Sequence, residues 1–570
     1  MCGIVGMVFK NPFSARDALT SLKRLEYRGY DSFGIADSNG RIQKFVGEID
    51  ETKAGDRLVN TTITHTRWAT HGNVTEANAH PHTDCTGSIA IVHNGIISNF
   101  SEIREEMKAE GHRFASETDS ELIAHFFEGK NIADSIPPFF AKFKGEYAVL
   151  LIKKGEDAIY AFKRGSPLVL GIAQDGYVLA SDIYAFSDRT GNAVFFNEDE
   201  FAVVGKNGYE FYKVNGKLEP SEKQVTAFKW MAEETKKDYE HYMMKEIKEI
   251  PEASRRLLDS LEAEQRESVE SIVSLVRNAK RIVFVASGSS YHASLLGIQF
   301  LRRAGVEAHA IVASEFKNFT LIDENTLVVA VSQSGETMDV IEALHGIKAR
   351  GVKIASLVNV PYSTVQRMSH SHINICAGQE VAVAATKTFV NQVLAMAYIA
   401  SLLGYAMDMR SVTGVFNSVF AQEARIKDVA KTLATARDIY VLGRGFSYPV
   451  AREIALKLKE ITYIHAEGMM AGELKHGTLS LIEQGTPVIC LAPKGDNDIM
   501  STAHEVAGRG ANVIMFSDEA RGGIKIDSTG KVSFSVMAAM AGQLLTYYIA
   551  REKGLPIDKP RNLAKSVTVK

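Results

Sequence analysis

The feature that most constrains this chain is an internal repeat. Ile282-Val283-Phe284-Val285-Ala286-Ser287-Gly288-Ser289-Ser290-Tyr291 aligns without a gap on Ile439-Tyr440-Val441-Leu442-Gly443-Arg444-Gly445-Phe446-Ser447-Tyr448. The copies stay in step: residues 326–331 match 486–491, and 351–357 match 510–516. Each match is a short apolar run leaving a turn into a helix, so the repeat predicts a doubly wound parallel sheet made twice. Where the copies differ, the sequence points to a ligand. The first carries Ser332-Gln333-Ser334-Gly335-Glu336-Thr337 at a strand end, where hydroxyls and backbone N–H groups wrap a phosphate at a helix N-terminus. The competing reading is a polar turn with an N-cap. At the same turn the second copy has Ala492-Pro493-Lys494-Gly495-Asp496-Asn497, without those hydroxyls, so only copy one is expected to bind phosphate. Gly443-Arg444-Gly445 lacks the third glycine and acidic partner of a dinucleotide fingerprint.

At 570 residues the chain exceeds a single core. Its net charge of −3, with no basic patch interleaved with aromatics, argues against a nucleic-acid partner. The start lacks the charged and apolar regions of a signal peptide. The longest apolar stretch read from the sequence, 393–407, falls short of the ~20 residues that span a bilayer and reads as a buried helix, so no membrane is expected. Cys2, Cys85, Cys376 and Cys490 are scattered, with no CxxC pair, which suits a reducing cytoplasm.

The first two hundred residues run differently. Apolar stretches such as 88–92, 147–152 and 201–204 succeed one another without helical spacers, which favours antiparallel sheets. The chain opens Met1-Cys2-Gly3-Ile4-Val5-Gly6. Removal of Met1 would give Cys2 a thiol and a free α-amine, with reference pKa values of about 8.5 and 7.7–8, a nucleophile and a base near working pH. Gly3 and Gly6 around Ile4-Val5 read as a short buried strand with room beside it; the plainer reading of Cys2 is a small buried residue. Three clusters carry chemistry. In Arg67-Trp68-Ala69-Thr70-His71-Gly72 the arginine sits at a strand end with a fork suited to a carboxylate. His93-Asn94-Gly95 offers amide donors for an oxyanion. Ser116-Glu117-Thr118-Asp119-Ser120-Glu121 opens a helix, with Asp119 available to an ammonium and Thr118 readable as an N-cap. His80 and His82 flank Pro81 with no carboxylate or cysteine set at ligand spacing, so no metal is expected; no motif calls for an organic cofactor.

Together with residues 25–32 and 78–82, these stretches resemble class II glutamine amidotransferase domains over about 220 residues. The resemblance implies an N-terminal-nucleophile hydrolase with a four-layer αββα sandwich. It implies that Cys2 attacks the side-chain amide of L-glutamine, that Asn94 and Gly95 hold the oxyanion, and that Arg67, Trp68, His71 and Asp119 bind glutamine. Trp68 resembles a residue that gates an ammonia channel.

Residues 221–265 turn charged and helical and read as a linker after a glutaminase domain at 2–220. The repeats resemble paired SIS (sugar isomerase) domains, at 266–410 and 411–555, with a tail at 556–570 over the sugar. The order glutaminase–SIS–SIS resembles the isomerising glutamine:fructose-6-phosphate amidotransferase family. By that resemblance Ser289, Ser290, Ser332, Gln333, Ser334, Thr337, Val383 and Ala564 meet the sugar phosphate. The first turn reads Ser287-Gly288-Ser289-Ser290 where many relatives have Cys-Gly-Thr-Ser, changes that keep size or hydroxyl. A helix over 450–461 puts Val450, Ile454, Leu458 and Ile461 on one face and Glu453, Lys457 and Glu460 on another. Taken alone, the charged face is a surface stripe. The resemblance instead makes Glu460 the isomerisation base, Lys457 its auxiliary, His476 (from this or a neighbouring subunit) a ring-opening group, and Lys565 the amine that captures the open ketose. The implied enzyme is a homodimer or larger homo-oligomer, makes glucosamine 6-phosphate from fructose 6-phosphate and glutamine, and passes ammonia internally. The alternatives are a non-catalytic sugar-phosphate sensor and a fructosamine-phosphate deglycase.

Overall fold

A computed structural model describes residues 2–68, 72–228, 236–319, 322–348, 350–519 and 523–567. Residues 2–228 form one compact unit and residues 236–565 a second.

The first unit is built on two antiparallel sheets. The eight-stranded sheet runs Thr226–Ala227, Asn192–Phe195, Val169–Ile172, Gly176–Ala180, Gly3–Ser14, Leu58–Arg67, Ser32–Asp37, Ile42–Val46. The seven-stranded sheet has Gly145–Lys153 and Ile89–Ile97 paired near one end. Alternate residues of both sheets (Ile4, Val8, Ile63, Val92, Leu150, Leu179) share one apolar layer between them. Helices Glu121–Phe127 and Ile132–Lys142 cover the other face of the second sheet through Leu122, Phe127 and Phe139. Helix Ala15–Lys23 buries Ala18, Leu19 and Leu22 beside the strands Gly3–Ser14 and Leu58–Arg67. The expected αββα sandwich is present.

One local expectation fails. The opening strand is twelve residues long, and there is no room beside it: a Cβ on Gly6 would stand 2.9 Å from Ile159 Cδ1 and Leu150 Cδ1 of the facing sheet. Gly6 is glycine because the opposite sheet already fills the space.

The second unit holds two five-stranded sheets with every pair parallel. The first runs Ala308–Val312, Arg281–Ala286, Thr326–Ser332, Lys353–Val358, Ser371–Asn374. The second runs His465–Met470, Asp438–Gly443, Pro487–Ala492, Asn512–Ser517, Ile524–Lys525. The strand order is the same in both, so the sequence repeat is a structural repeat. In each sheet the order reverses between the first strand of the copy and its neighbour, and ligands of such sheets bind at that crevice.

Helix Tyr242–Glu262, in the segment read as a linker, buries Met243, Ile247, Ile250 and Leu257 in the core of this unit. Its first two N–H groups, of Tyr242 and Met243, donate to the two Asp558 carboxylate oxygens at 2.9 Å. The stretch 393–407 lies largely in the buried helix Lys387–Leu402. A longer buried helix, Lys531–Glu552, escaped the sequence reading. It is long and apolar enough to cross a membrane, yet its apolar window is wholly buried inside the protein. A helix buried on all sides carries no polar stripe.

Candidate active sites

In the first unit, the register Gly3↔Thr66 brings Cys2 to the end of the strand Leu58–Arg67. The Cys2 sulfur accepts from the Trp68 backbone N–H at 3.4 Å, and its thiol faces the Trp68 carbonyl at 3.8 Å. Burial pushes the Cys2 thiol up, while Arg67 pulls it down and Asp119 adds to the rise. Arg67 is buried and donates to the carbonyls of Asn73 (3.2 Å) and Gly72 (3.4 Å). Those residues belong to a loop that Asn78 ties to Glu117 by two hydrogen bonds of 2.9 and 3.0 Å. Arg67 and Asp119 are thus mounted on linked segments beside the nucleophile. Asp119 is 5% exposed and accepts from the Ile97 N–H at 2.8 Å.

Asn94 and Gly95 lie on the strand Ile89–Ile97, which is held to the first sheet where His65 Nε2 meets the His93 carbonyl at 3.0 Å. Gly95 has φ +132°, and a Cβ there would sit 2.0 Å from the Glu146 carbonyl oxygen. Only glycine fits. Asn94 Oδ1 is buried with no partner among the described residues. His71 lies outside the described residues.

Thr118 is not a helix cap. Its hydroxyl meets His82 Nε2 at 3.1 Å, and helix Glu121–Phe127 starts after Ser120. His80 stacks on His65 at 3.8 Å, and burial holds the imidazoles of His65, His80 and His82 well below the usual histidine range. Elsewhere in this unit Cys85, His112, His125 and Glu128 converge.

In the second unit, two helices begin at the crevice of the first sheet. Gly288–Arg303 follows the strand Arg281–Ala286, and Met338–Lys348 follows Thr326–Ser332. In the second turn Ser332 Oγ accepts from the Gly335 N–H at 3.0 Å and meets Thr337 Oγ1 at 3.2 Å, while Ser334 Oγ accepts from the Glu336 N–H at 3.1 Å. The Thr337 carbonyl begins the helix by accepting from Val340 and Ile341. Gln333 meets Asn359 and Val360 through its carbonyl, at 3.1 and 3.3 Å. Serine hydroxyls therefore line a turn at a helix start, where they can donate to a phosphate. In the second copy the equivalent helix, Asn497–Ala507, already has an anion at its start: Asp496 Oδ1 accepts from the Ile499 N–H at 3.2 Å. A phosphate there would meet a carboxylate.

The charged face of helix Ser447–Thr462 is no surface stripe. Glu453 and Lys457 are each 1% exposed, as buried as Val450 and Leu458 on the apolar face. Glu453 accepts from Ser289 Oγ and pairs with His292 Nδ1, both at 2.8 Å, so the second copy reaches into the first copy's ligand turn. Ser290 Oγ accepts from Gln392 Nε2 at 2.9 Å, and Ser287 Oγ is buried without a partner among the described residues. Lys457 Nζ lies 2.5 Å from Glu460 Oε2 and 3.5 Å from Glu453 Oε1. Burial works against the Lys457 ammonium, but Glu460 and Glu453 outweigh it and its pKa rises. Glu460 moves the other way from most paired carboxylates: burial pushes it up, against the pull of Lys457.

The tail closes on the same region. Asp558 accepts from the Val383 N–H through its carbonyl (3.0 Å), and the Arg561 N–H donates to Tyr463 Oη (2.8 Å) just past the Glu460 helix. Lys565, with Ala564 before it, ends 2.5 Å from Glu380 Oε2 and 2.8 Å from the Ala382 carbonyl, and is 3% exposed at its side chain. Glu380 is pressed up by burial, yet Lys565 and the donors of Thr386 and Thr388 bring it down to about 2. Beside it, burial and the Glu380 charge push Glu246 up to about 8, while its carboxyl accepts from the Val381 N–H. His476 stands apart, exposed at the end of the 3-10 turn Ala471–His476.

Sequence reasoning missed Glu380 and His292, and placed Glu453 only on a surface stripe. Glu380, Glu453 and His292 lie 185, 164 and 161 residues from Lys565, Ser289 and Glu453, and no local motif marks such pairs.

Known proteins share this architecture. Residues 275–402 and 432–535 match the SIS domain model, and 65–188 match a glutamine amidotransferase domain model. Over their whole lengths and all of this chain, relatives named glutamine–fructose-6-phosphate aminotransferase [isomerizing] are 40% identical in Methanothermobacter thermautotrophicus and Thermotoga maritima and 38% in Thermococcus kodakarensis. Among solved structures, the C-terminal domain of glucosamine-fructose-6-phosphate aminotransferase from Francisella tularensis matches 57% of this chain over all of its own, with TM-score 0.53 and 32% identity.

Proposed function

The chain belongs to the isomerising glutamine–fructose-6-phosphate aminotransferases, and from that premise we propose that its two sites divide the reaction as follows. The overall conversion is L-glutamine and fructose 6-phosphate to L-glutamate and glucosamine 6-phosphate.

At the first site, Cys2, freed of Met1, attacks the glutamine amide with its own α-amine as base. Asn94 and Gly95 stabilise the oxyanion, Arg67 holds the glutamine carboxylate and Asp119 its ammonium, with Trp68 and His71 completing the pocket. The released ammonia is consumed at the second site. There Ser332, Gln333, Ser334 and Thr337 hold the phosphate, with Ser289, Ser290, Val383 and Ala564 around the sugar. Lys565 captures the open ketose as a Schiff base, Glu460 moves the proton between C1 and C2, and Lys457 steadies its charge. His476, exposed on its own chain, serves ring opening across a subunit contact, which makes the enzyme a homo-oligomer. We assign the glutaminase to 2–220, the connector to 221–265, the SIS domains to 266–410 and 411–555, and the tail to 556–570. Free cysteines suit the cytoplasm.

The observation that carries the reading is the buried group Glu453, Lys457, Glu460, Lys565 and Glu380. A sensor of sugar phosphate needs the serine turn and has no use for a buried amine beside a raised carboxyl. The test is incubation with glutamine and fructose 6-phosphate, with glucosamine 6-phosphate as the readout. Glutamate without amino sugar refutes the acceptor; glucosamine-free deglycation of a fructosamine phosphate favours the deglycase. Cys2→Ala should lose glutamine use and keep fructose 6-phosphate binding.

A further inference from the structure

We propose that the first unit carries a binding site for a borderline divalent transition-metal ion, zinc foremost, made by Cys85, His112, His125 and Glu128. One ligand atom from each lies within 4.8 Å of all the others. Four separations within the cluster suit a four-coordinate ion. With metal–sulfur bonds of ~2.3 Å and metal–nitrogen or –oxygen bonds of ~2.0–2.1 Å, tetrahedral ligands stand about 3.3–3.6 Å apart. Cys85 Sγ is 3.5 Å from His125 Nδ1 and 3.8 Å from His112 Nδ1. Glu128 Oε2 is 3.1 Å from His112 Nδ1 and 3.4 Å from His125 Nδ1. Four of the six ligand–ligand separations are therefore close to tetrahedral values, and the other two are no more than 4.8 Å.

The four residues come from three separate segments, each fixed in place. Cys85 sits in a turn held by Asp84, whose Oδ1 accepts from the Ile89 N–H at 2.9 Å. His112 follows helix Phe100–Ala109, and its N–H bonds back to the Met107 carbonyl at 3.0 Å. His125 and Glu128 are spaced i, i+3 at the end of helix Glu121–Phe127, where Glu128 leaves helical geometry with ψ 124°.

The surroundings also fit a metal. Bound histidines commonly turn their second nitrogen toward a carboxylate. His125 is 2% exposed, its Nε2 has no hydrogen-bond partner among the described residues, and its Nε2 lies 3.6 Å from Glu121 Oε1. Ligation through Nδ1 fixes the tautomer whose Nε2–H faces Glu121. Glu121 is itself held by the N–H groups of Ala115 and Ser116, both at 2.7 Å. The Arg113 N–H faces Cys85 Sγ at 3.5 Å, the kind of donor that steadies a thiolate. Cys85 is exposed, which leaves a way in. A thiolate with two imidazoles selects zinc or a similar ion over magnesium or calcium. The ion would staple three segments, including the helix reached directly after Asp119.

The test uses the full chain, stripped of metal by chelator and titrated with Co²⁺. One ion per chain is expected, with a thiolate-to-cobalt charge-transfer band and the visible bands of tetrahedral cobalt, displaced by one equivalent of Zn²⁺. Cys85→Ser should abolish the charge-transfer band, and His112→Gln should weaken binding at least tenfold. Cys2→Ala should leave the band intact. Absence of the band in the wild type, its survival in Cys85→Ser, or its loss in Cys2→Ala overturns the proposal and leaves the cluster a hydrogen-bonded network. X-ray absorption of the zinc-loaded wild type decides without any variant: one sulfur ligand at ~2.3 Å supports the site, and an all-nitrogen/oxygen shell refutes it.

Discussion

Replacing Glu380 by glutamine keeps the side chain's shape and deletes the charge that faces Lys565. Glu380 is held at about 2 against an ordinary 4.5, by Lys565 and by the donors of Thr386 and Thr388. At ~1.36 kcal/mol per pKa unit, that gap is worth about 3 kcal/mol, the scale found when one partner of a buried ion pair is removed. Lys565 sits on the tail and the threonines do not, so only its share of the loss falls on tail docking: up to about 3 kcal/mol, or up to about a hundredfold in the docked-to-open ratio. Hydrogen–deuterium exchange over residues 558–565 reads this, and the Arg561 amide bonded to Tyr463 is its clearest reporter. The sign of the pH dependence follows from the lowered pKa. The stabilisation is fully present above about 4.5 and is lost as the pH falls towards 2, where the protonated wild type comes to resemble the variant. Exchange in Glu380→Gln should thus be faster at pH 7 by up to about a hundredfold, with the ratio shrinking below pH 4.5. A ratio under about threefold at pH 7, or one unchanged between pH 5 and pH 3, refutes the reasoning.

Gly95→Ala forces a Cβ to within 2.0 Å of the Glu146 carbonyl at φ +132°, so glutamate release should fall by about 10²–10³, as when an oxyanion donor is lost, with fructose 6-phosphate binding unchanged by calorimetry. Glu460→Gln should cut hexose-phosphate isomerisation by about 10²–10⁴ and spare glutamine hydrolysis. Because burial raises Glu460 and a base must be ionised to act, the wild-type isomerisation rate should fall with decreasing pH on a limb above the ordinary carboxylate range; a limb within that range contradicts the role.

The fold was legible because it rests on local patterns. Parallel-sheet strands announce themselves as short apolar runs before glycine-bearing turns, and 281–286 and 438–443 do so in register. The serine turn at 332–337 was readable for the same reason: its chemistry is contiguous. What escaped depends on encounters between distant segments. Nothing around Glu453 says that Ser289 and His292 will take its oxygens, so its helix face looked solvated. Gly6 looked like spare room because the sequence does not tell which side chains of a facing sheet will fill it. Cys85, His112 and the His125–Glu128 pair have no finger-like spacing, and only the packing of the turn and helix ends against one sheet unites them. Helix Lys531–Glu552 carries scattered serines and glycine that break up its apolar run on paper, while burial treats them all alike.

The strap from Asp558 to Lys565 also bears on how the enzyme is born. Asp558 caps a helix that begins at Tyr242, and Lys565 meets a carboxylate at position 380, so this corner of the second unit is a knot tied by residues synthesised long after the segments they hold. Both sheets of the second unit can assemble during synthesis, but Lys565, the amine proposed to capture the sugar, arrives only afterwards. A chain that stalls or is clipped before residue 565 should keep the serine turn and lack the capturing amine. Such a chain is expected to hold sugar phosphate without converting it, an inert by-product of interrupted translation.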